Sequence, residues 1–279
     1  MPPTSMPEAC AADCVSMREA DIEGFLQGRI FSTMQYRNAP DDCQLKMLRQ
    51  VYEPLIGLIL PELCQRCGDT ASGGFCESCR GEFRYNAGAC RVCGRGPLPA
   101  GVAQCHEHAA SWQLARVVAP LVYAPPAEAW LQALKYAGDR ALGRAFGQLL
   151  AEAAAVRRSH VDAIVSVPLH PRRLMQRGYN QALEIARSTA ATLRLPILRA
   201  GIARTRETPP QAQLDCLQRR SNLTGAFTVT RQLIGCRLAI VDDVITTGAT
   251  MNALASELRA AGARHVEGWA IARTRSRAL

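Results

Sequence analysis

In the stretch Leu238-Ala239-Ile240-Val241-Asp242-Asp243-Val244-Ile245-Thr246-Thr247-Gly248-Ala249-Thr250, a strand of four apolar residues runs into two adjacent carboxylates. A turn of hydroxyls with one glycine follows, and then a helical pattern from Met251 to Ala261. This is the layout of a phosphate cradle. Thr246 to Thr250 present backbone N–H groups at a helix N-terminus, where the macrodipole favours an anion. Gly248 lets the backbone close on a phosphate with no Cβ in the way. At the carboxyl end of a parallel strand, Asp242 and Asp243 can reach a sugar diol or a Mg²⁺ ion.

Outward from that stretch, strand and helix patterns alternate. Leu114 to Tyr123 reads as a strand or hairpin, and Pro126 to Tyr136 and Arg140 to Val156 as helices. Ala163 to Val167 is a strand that enters the basic loop Pro168-Leu169-His170-Pro171-Arg172-Arg173. Tyr179 to Leu193 is an Ala-rich helix, and Leu195 to Leu198 a short strand. Gln211 to Ser221 is a polar helix or flap, and Val266 to Ala272 a final strand preceded by Gly262 as a helix terminator. The alternation predicts an α/β domain with a doubly wound parallel sheet, whose ligands bind at the carboxyl ends of the strands.

Upstream the pattern is different. Cys64-x-x-Cys67, Cys76-x-x-Cys79, Cys90-x-x-Cys93 and Cys105-x-x-His108 follow one another within 45 residues. Each such turn aims two ligands at one point, and two turns complete a tetrahedron around Zn²⁺. Gly68 and Gly94 follow second ligands, where a positive φ is needed. Consecutive pairing gives two sites, Cys64/Cys67/Cys76/Cys79 and Cys90/Cys93/Cys105/His108, although crossed pairing has the same spacing. His106 competes with His108, which alone keeps the two-residue gap. With every position filled by protein, the zinc is structural. The sequence between the cysteines is polar and Gly-rich, so the module needs its metal to fold.

The chain has 279 residues, enough for one α/β core and a smaller module. Its net charge of +9 comes from 31 Arg against only Lys46 and Lys135, and residues 1–60 are acidic while the rest is basic. A basic body suits phosphate-bearing ligands or nucleic acid. No apolar run is long enough for a transmembrane helix and no secretory pattern opens the chain, so a cytoplasmic location is expected. Twelve cysteines in such a compartment argue for metal rather than disulfides. Residues 1–47 show no sustained periodicity and are expected to be an atypical extension. Val51 to Leu63 forms an apolar lead-in helix.

The Asp-Asp-Thr-Thr-Gly-x-Thr passage resembles the ribose-5-phosphate loop of type I phosphoribosyltransferases, which use phosphoribosyl pyrophosphate (PRPP). That resemblance implies that Asp242 and Asp243 hold the ribose hydroxyls and that Thr246, Thr247, Gly248, Ala249 and Thr250 wrap the 5′-phosphate. Together with the zinc pairs, residues 48–275 resemble the ComF/GntX-type competence proteins, a double zinc ribbon joined to a phosphoribosyltransferase-like domain. Leu134-Lys135-Tyr136 with Gly138-Asp139, Val167 to Arg173, Arg177 to Gln181, Thr208 to Gln211 and Arg219 to Asn222 match that pattern. His108 departs from it, since the family usually has Cys there.

The resemblance implies a division at 48–112 for the lead-in and ribbon and 113–279 for the phosphoribosyltransferase-like domain. Lys135, Arg172, Arg173 and Arg177 are the candidates for a pyrophosphate or a DNA phosphate. Tyr179 stacks on a base or caps its helix. Three functions follow: PRPP binding, with Mg²⁺, in DNA uptake and use of external single-stranded DNA; an active phosphoribosyltransferase of unknown acceptor; and a zinc-ribbon adaptor with a metabolite-sensing site. The first brings single-stranded DNA as a partner, and a protein of the DNA-uptake machinery at the inner membrane.

Overall fold

The computed structural model describes residues 62–105, 112–157, 159–206 and 225–275. Residues 1–47, nearly all of the lead-in helix, the polar stretch Gln211 to Ser221, and the motifs at 208–211 and 219–222 lie outside them.

The central sheet is parallel throughout. Its strands are β1 (Arg116–Val118), β2 (Leu121–Val122), β3 (Ala163–Ser166), β6 (Arg237–Ile245) and β7 (His265–Arg273), while β4 (Ile202–Arg204) and β5 (Phe227–Val229) form a separate antiparallel ribbon. The order is β1-β7-β6-β3, with β2 continuing along the same edge of β7 after β1. Six α-helices are described: α1 (Glu77–Gly81), α2 (Ala127–Gln132), α3 (Arg140–Val156), α4 (Pro171–Arg177), α5 (Gln181–Leu193) and α6 (Ala249–Ala260). A π-turn, Ala133–Ala137, prolongs α2.

Alternate residues of each inner strand feed two cores, as a sheet covered on both faces requires. Leu238 and Ile240 of β6 meet α6 through Met251, Leu254 and Leu258. Ala239 and Val241 face α3 and α5, with Phe146, Leu150 and Ile185. The same split separates Ala163 and Val165 from Ile164. The doubly wound sheet expected from the sequence is present.

Three local expectations change. The strand expected to end at Val241 continues to Ile245, because β7 offers parallel partners as far as Arg273. The segment 114–123 is not a hairpin: β1 and β2 run the same way along β7, interrupted at Ala119 and Pro120. The basic loop after β3 becomes α4, with Pro171 preset for the first turn and Gly178 ending it at φ 77°. Apolar periodicity could not reveal α4, since it buries none of its residues.

The cysteine module has too few apolar residues for a core and joins the one beside it. Phe75 has its ring centroid 5.2 Å from Phe83, 5.2 Å from Phe146 and 5.4 Å from Trp130. Gly74 permits this approach, as a Cβ there would fall 2.4 Å from Ala145 Cβ. Arg80 then forks onto Glu152 of α3 at 2.7 and 2.8 Å. Asn86, buried, donates to the carbonyls of Gly94 and Ala119. Truncating Phe75 to Ala should therefore cost about 3–5 kcal/mol, measured by urea unfolding of the whole chain. A loss under about 1 kcal/mol would mean that the module stands apart from the sheet's core.

Candidate functional site

A cleft of about 920 Å³ opens at the carboxyl ends of β3 and β6. Its floor carries Asp242, Asp243, Thr246, Gly248, Ala249 and Thr250, and its opposite wall Lys135, Tyr136, Arg173, Arg177 and Arg204. Two expected residues lie apart from the lining. Arg172 is exposed on α4, and Thr247 shapes the turn, its Oγ1 accepting the Ala249 N–H at 3.2 Å. The turn leads directly into α6, whose first amides have no acceptor within the helix.

Gly248 caps α6 with φ 84°. A Cβ there would sit 2.4 Å from the Trp112 ring. The expected reason for glycine was clearance for a ligand; its backbone angle and the indole packed behind the turn are the reasons seen here.

Asp242 and Asp243 both line the cleft, and their carboxyl groups act on each other. Asp243 is 4% exposed and has Lys135 Nζ 3.5 Å from its Oδ2. That is too long for a good hydrogen bond, and Oδ2 has no hydrogen-bond partner. The charge of Asp243 raises the pKa of Lys135 against the opposing effect of burial. Asp242, half-buried beside it, has its pKa raised well above the carboxylate range by burial and then by Asp243. Beyond it lies Arg204, whose pKa is lowered by burial and by Arg173, an effect that Asp242 opposes.

On the opposite wall, Arg177 donates to Oε1 of buried Gln181 at 2.7 Å and lies over the Tyr136 ring at 5.4 Å. Tyr179 is buried; its hydroxyl donates to the Leu134 carbonyl and Arg140 covers its ring at 5.1 Å. Tyr179 thus fastens the π-turn and has no face left for a base.

Sequence reasoning missed two arginines. Arg204 comes from β4. Arg273, at the end of β7 and 2% exposed, donates to the carbonyls of Cys93 (3.1 Å), Ile245 (3.0 Å) and Thr246. Burial lowers its pKa to about 10, so it stays charged at neutral pH. The signal was available: an arginine closing the apolar run Gly268 to Ala272 has to find buried acceptors.

The cysteines gather in two groups. The sulfurs of Cys64, Cys67, Cys76 and Cys79 lie within 4.8 Å of one another, as do those of Cys90, Cys93 and Cys105. The grouping is consecutive, not crossed. Cys67 and Cys76 have sulfurs 3.6 Å apart, and Cys93 and Cys105 3.3 Å. A tetrahedral Zn²⁺ with bonds near 2.3 Å would set its sulfurs about 3.8 Å apart, so both groups could hold one. Burial opposes a thiolate at Cys64, but amides of Cys67, Cys76 and Arg66 outweigh it and bring the pKa down to about 6. Gly68 and Gly94 take φ 79° and 72°. His106 and His108, the alternatives for the eighth ligand, lie outside the described residues.

Known proteins resemble this chain over most of its length. A "DNA utilization protein YhgH" of Escherichia coli (strain K12) is 34% identical over 229 residues, 78% of this chain and 99% of that one. "Competence protein F" of Haemophilus influenzae is 30% identical over 220 residues, 76% and 90% of the two chains. Among solved structures, the purine phosphoribosyltransferase from Pyrococcus horikoshii aligns over 46% of this chain and 80% of its own, at 16% identity and a TM-score of 0.29. No protein-family model matches the chain.

Two carboxylates share the floor of the cleft, and Asp242 is the one held under-solvated. Below an unfolded-state pKa of about 3.9 its carboxyl is protonated whether folded or not, and Asp242→Asn should change little. As pH rises, the unfolded chain gives up this proton first, so the native protein loses stability until the folded pKa is passed. Asp242→Asn should therefore raise Tm near pH 7 by roughly 2–4 °C, the equivalent of about 1 kcal/mol in a domain of this size, with the gain shrinking toward pH 4. A variant melting below the wild type at pH 7 would mean that Asp242 is well solvated or well paired.

Proposed function

The chain belongs to the ComF/GntX family, and we propose that its cleft binds PRPP or a related 5′-phosphoribosyl ligand in the service of DNA uptake or the use of external DNA. Relatives named for DNA utilization and for competence support the second half of that reading. The first half rests on one observation. A hydroxyl-rich turn at a helix N-terminus, two carboxylates and four cationic side chains line a single cleft.

Each part has a physical match in such a ligand. The N-terminus of α6 favours a phosphate through its dipole. Asp243 Oδ2, buried without a donor, fits a ribose hydroxyl, which would satisfy it. Arg173, Arg177 and Arg204 supply the forks that phosphate oxygens prefer. Lys135, held beside Asp243, adds a point charge toward the pyrophosphate. A Mg²⁺ arriving with the ligand would find hard oxygen donors in Asp242 and Asp243 and would neutralise part of the pyrophosphate charge.

Binding is the function proposed; the cleft has no group assigned to activate an acceptor. The test is calorimetric titration of the full chain with PRPP and Mg²⁺. Saturable, Mg²⁺-dependent binding is expected, weakened roughly 10- to 100-fold by Asp243→Asn, the loss of a charge-assisted hydrogen bond of about 1.5–3 kcal/mol. No PRPP binding, or equal binding by the variant, would sink the reading.

The cysteine groups serve the same body as two structural Zn²⁺ sites, one from Cys64, Cys67, Cys76 and Cys79, the other from Cys90, Cys93, Cys105 and a histidine. Native mass spectrometry should find two Zn²⁺ per chain and one in Cys67→Ser. Two retained by that variant would overturn the assignment of Cys67 as a ligand.

A further inference from the structure

Tyr136 is large, aromatic and 73% exposed at the mouth of the cleft, where no stability argument asks for it. Its position is nonetheless well defined. It sits in the π-turn that prolongs α2, a distortion frequent at functional sites. Gly138 ends that turn in the left-handed region, φ 77°, and the buried Tyr179 hydroxyl bonds the Leu134 carbonyl within it. One face of the ring is covered by the Arg177 guanidinium at 5.4 Å. That guanidinium is in turn held at 2.7 Å by Gln181, whose side chain is buried. The stack is therefore built before any ligand arrives.

Beside it stands α4, Pro-Arg-Arg-Leu-Met-Gln-Arg, a helix with no buried residue. Leu174 and Met175 of α4 are 43% and 78% exposed. Arg173 and Arg177 line the cleft and Arg172 is exposed on the same helix. Apolar and aromatic side chains interleaved with arginines at one edge are the composition of a site for single strands: bases stack on rings and the backbone follows the positive charge. A duplex offers no unstacked base to such an edge.

From this arrangement we infer that Tyr136, backed by Arg177, is a stacking platform for one base of a single-stranded DNA whose phosphates meet α4. The inference deepens the proposed function by giving the same cleft a second ligand, and it rests on that reading only for the neighbouring phosphoribosyl pocket. The strand and the pocket ligand would then lie side by side, the base at the mouth and the pentose phosphate on the floor. Sequence reasoning had assigned base stacking to Tyr179 as one of two roles; burial removes Tyr179 from it and leaves Tyr136.

The test uses the zinc-loaded full chain and fluorescence anisotropy with a labelled oligo-dT and an abasic oligonucleotide of equal length. The wild type should bind oligo-dT more tightly than the abasic strand. Tyr136→Ala should weaken oligo-dT binding roughly tenfold, within the range of one base–aromatic stack, and leave the abasic strand unchanged, while Tyr136→Phe should bind like the wild type. Equal binding of the two strands by the wild type, no binding of oligo-dT, or an unaffected Tyr136→Ala variant would overturn the platform. Thymidine monophosphate competing as well as the oligonucleotide, mole for mole, would overturn the assignment to a strand. A separate wild-type titration with PRPP and Mg²⁺ distinguishes the two readings: discrimination between the strands without PRPP binding sustains the platform and sinks the phosphoribosyl site alone.

Discussion

Two carboxylates at the end of a strand buried on both faces are the constraint around which the rest is arranged. β6 has a parallel neighbour on each side and a helical layer on each face, so Asp242 and Asp243 emerge from the driest part of the molecule. The two carboxylates act on each other, and Lys135 is a cation within reach of both. Lys135 approaches Asp243 from the π-turn, and Arg204 faces Asp242 from β4. Neither answer is complete. The Lys135 contact is long, Asp243 Oδ2 lacks a donor, and the pKa of Asp242 is raised. An arrangement that leaves buried polar atoms under-satisfied lowers the stability of the empty protein, and a ligand supplying hydroxyl donors or a cation would recover part of that loss.

The turn above these acids is braced from behind. Arg273 reaches the carbonyls of Ile245 and Thr246 on one side and Cys93 on the other. Trp112 fills the space behind Gly248. The second cysteine group is joined to the sheet by further bonds, including Val117 N–H to the Arg91 carbonyl at 3.2 Å. The ribbon is thus continuous with the wall of the cleft. Its aromatic residues, Phe75 and Phe83, complete the core that α3 lines with Phe146.

Much of this was legible because burial writes periodicity into sequence. The inner stretches of β6 and β7, Leu238 to Val241 and Gly268 to Ala272, read as apolar runs, since both of their faces are covered. The bounds of α3, Arg140 to Val156, were legible from the apolar residues it sets at helical spacing against the sheet and α5. What stayed hidden follows from the same rule. α4 leaves no apolar signature because it buries nothing. The extension of β6 through Asp242 to Ile245 runs against composition, because two adjacent acids mark a strand end in most contexts. Only pairing with β7, contributed from further along the chain, carries it on.

The chain also uses its two kinds of cation differently. It has 31 arginines and two lysines, and one of those lysines, Lys135, is the cation set against the buried Asp243. A guanidinium presents five donors in a plane and needs matching acceptors around it, which Arg273 finds in backbone carbonyls and Arg177 in Gln181. Beside Asp243 the chain places a compact charge on a flexible stem, and Asp242 acts on the same ammonium. That ammonium can turn from the carboxylates toward an incoming anion without leaving a rigid fork half-filled. The arginines at the rim keep a fixed geometry, and the lysine on the wall supplies the adjustable charge.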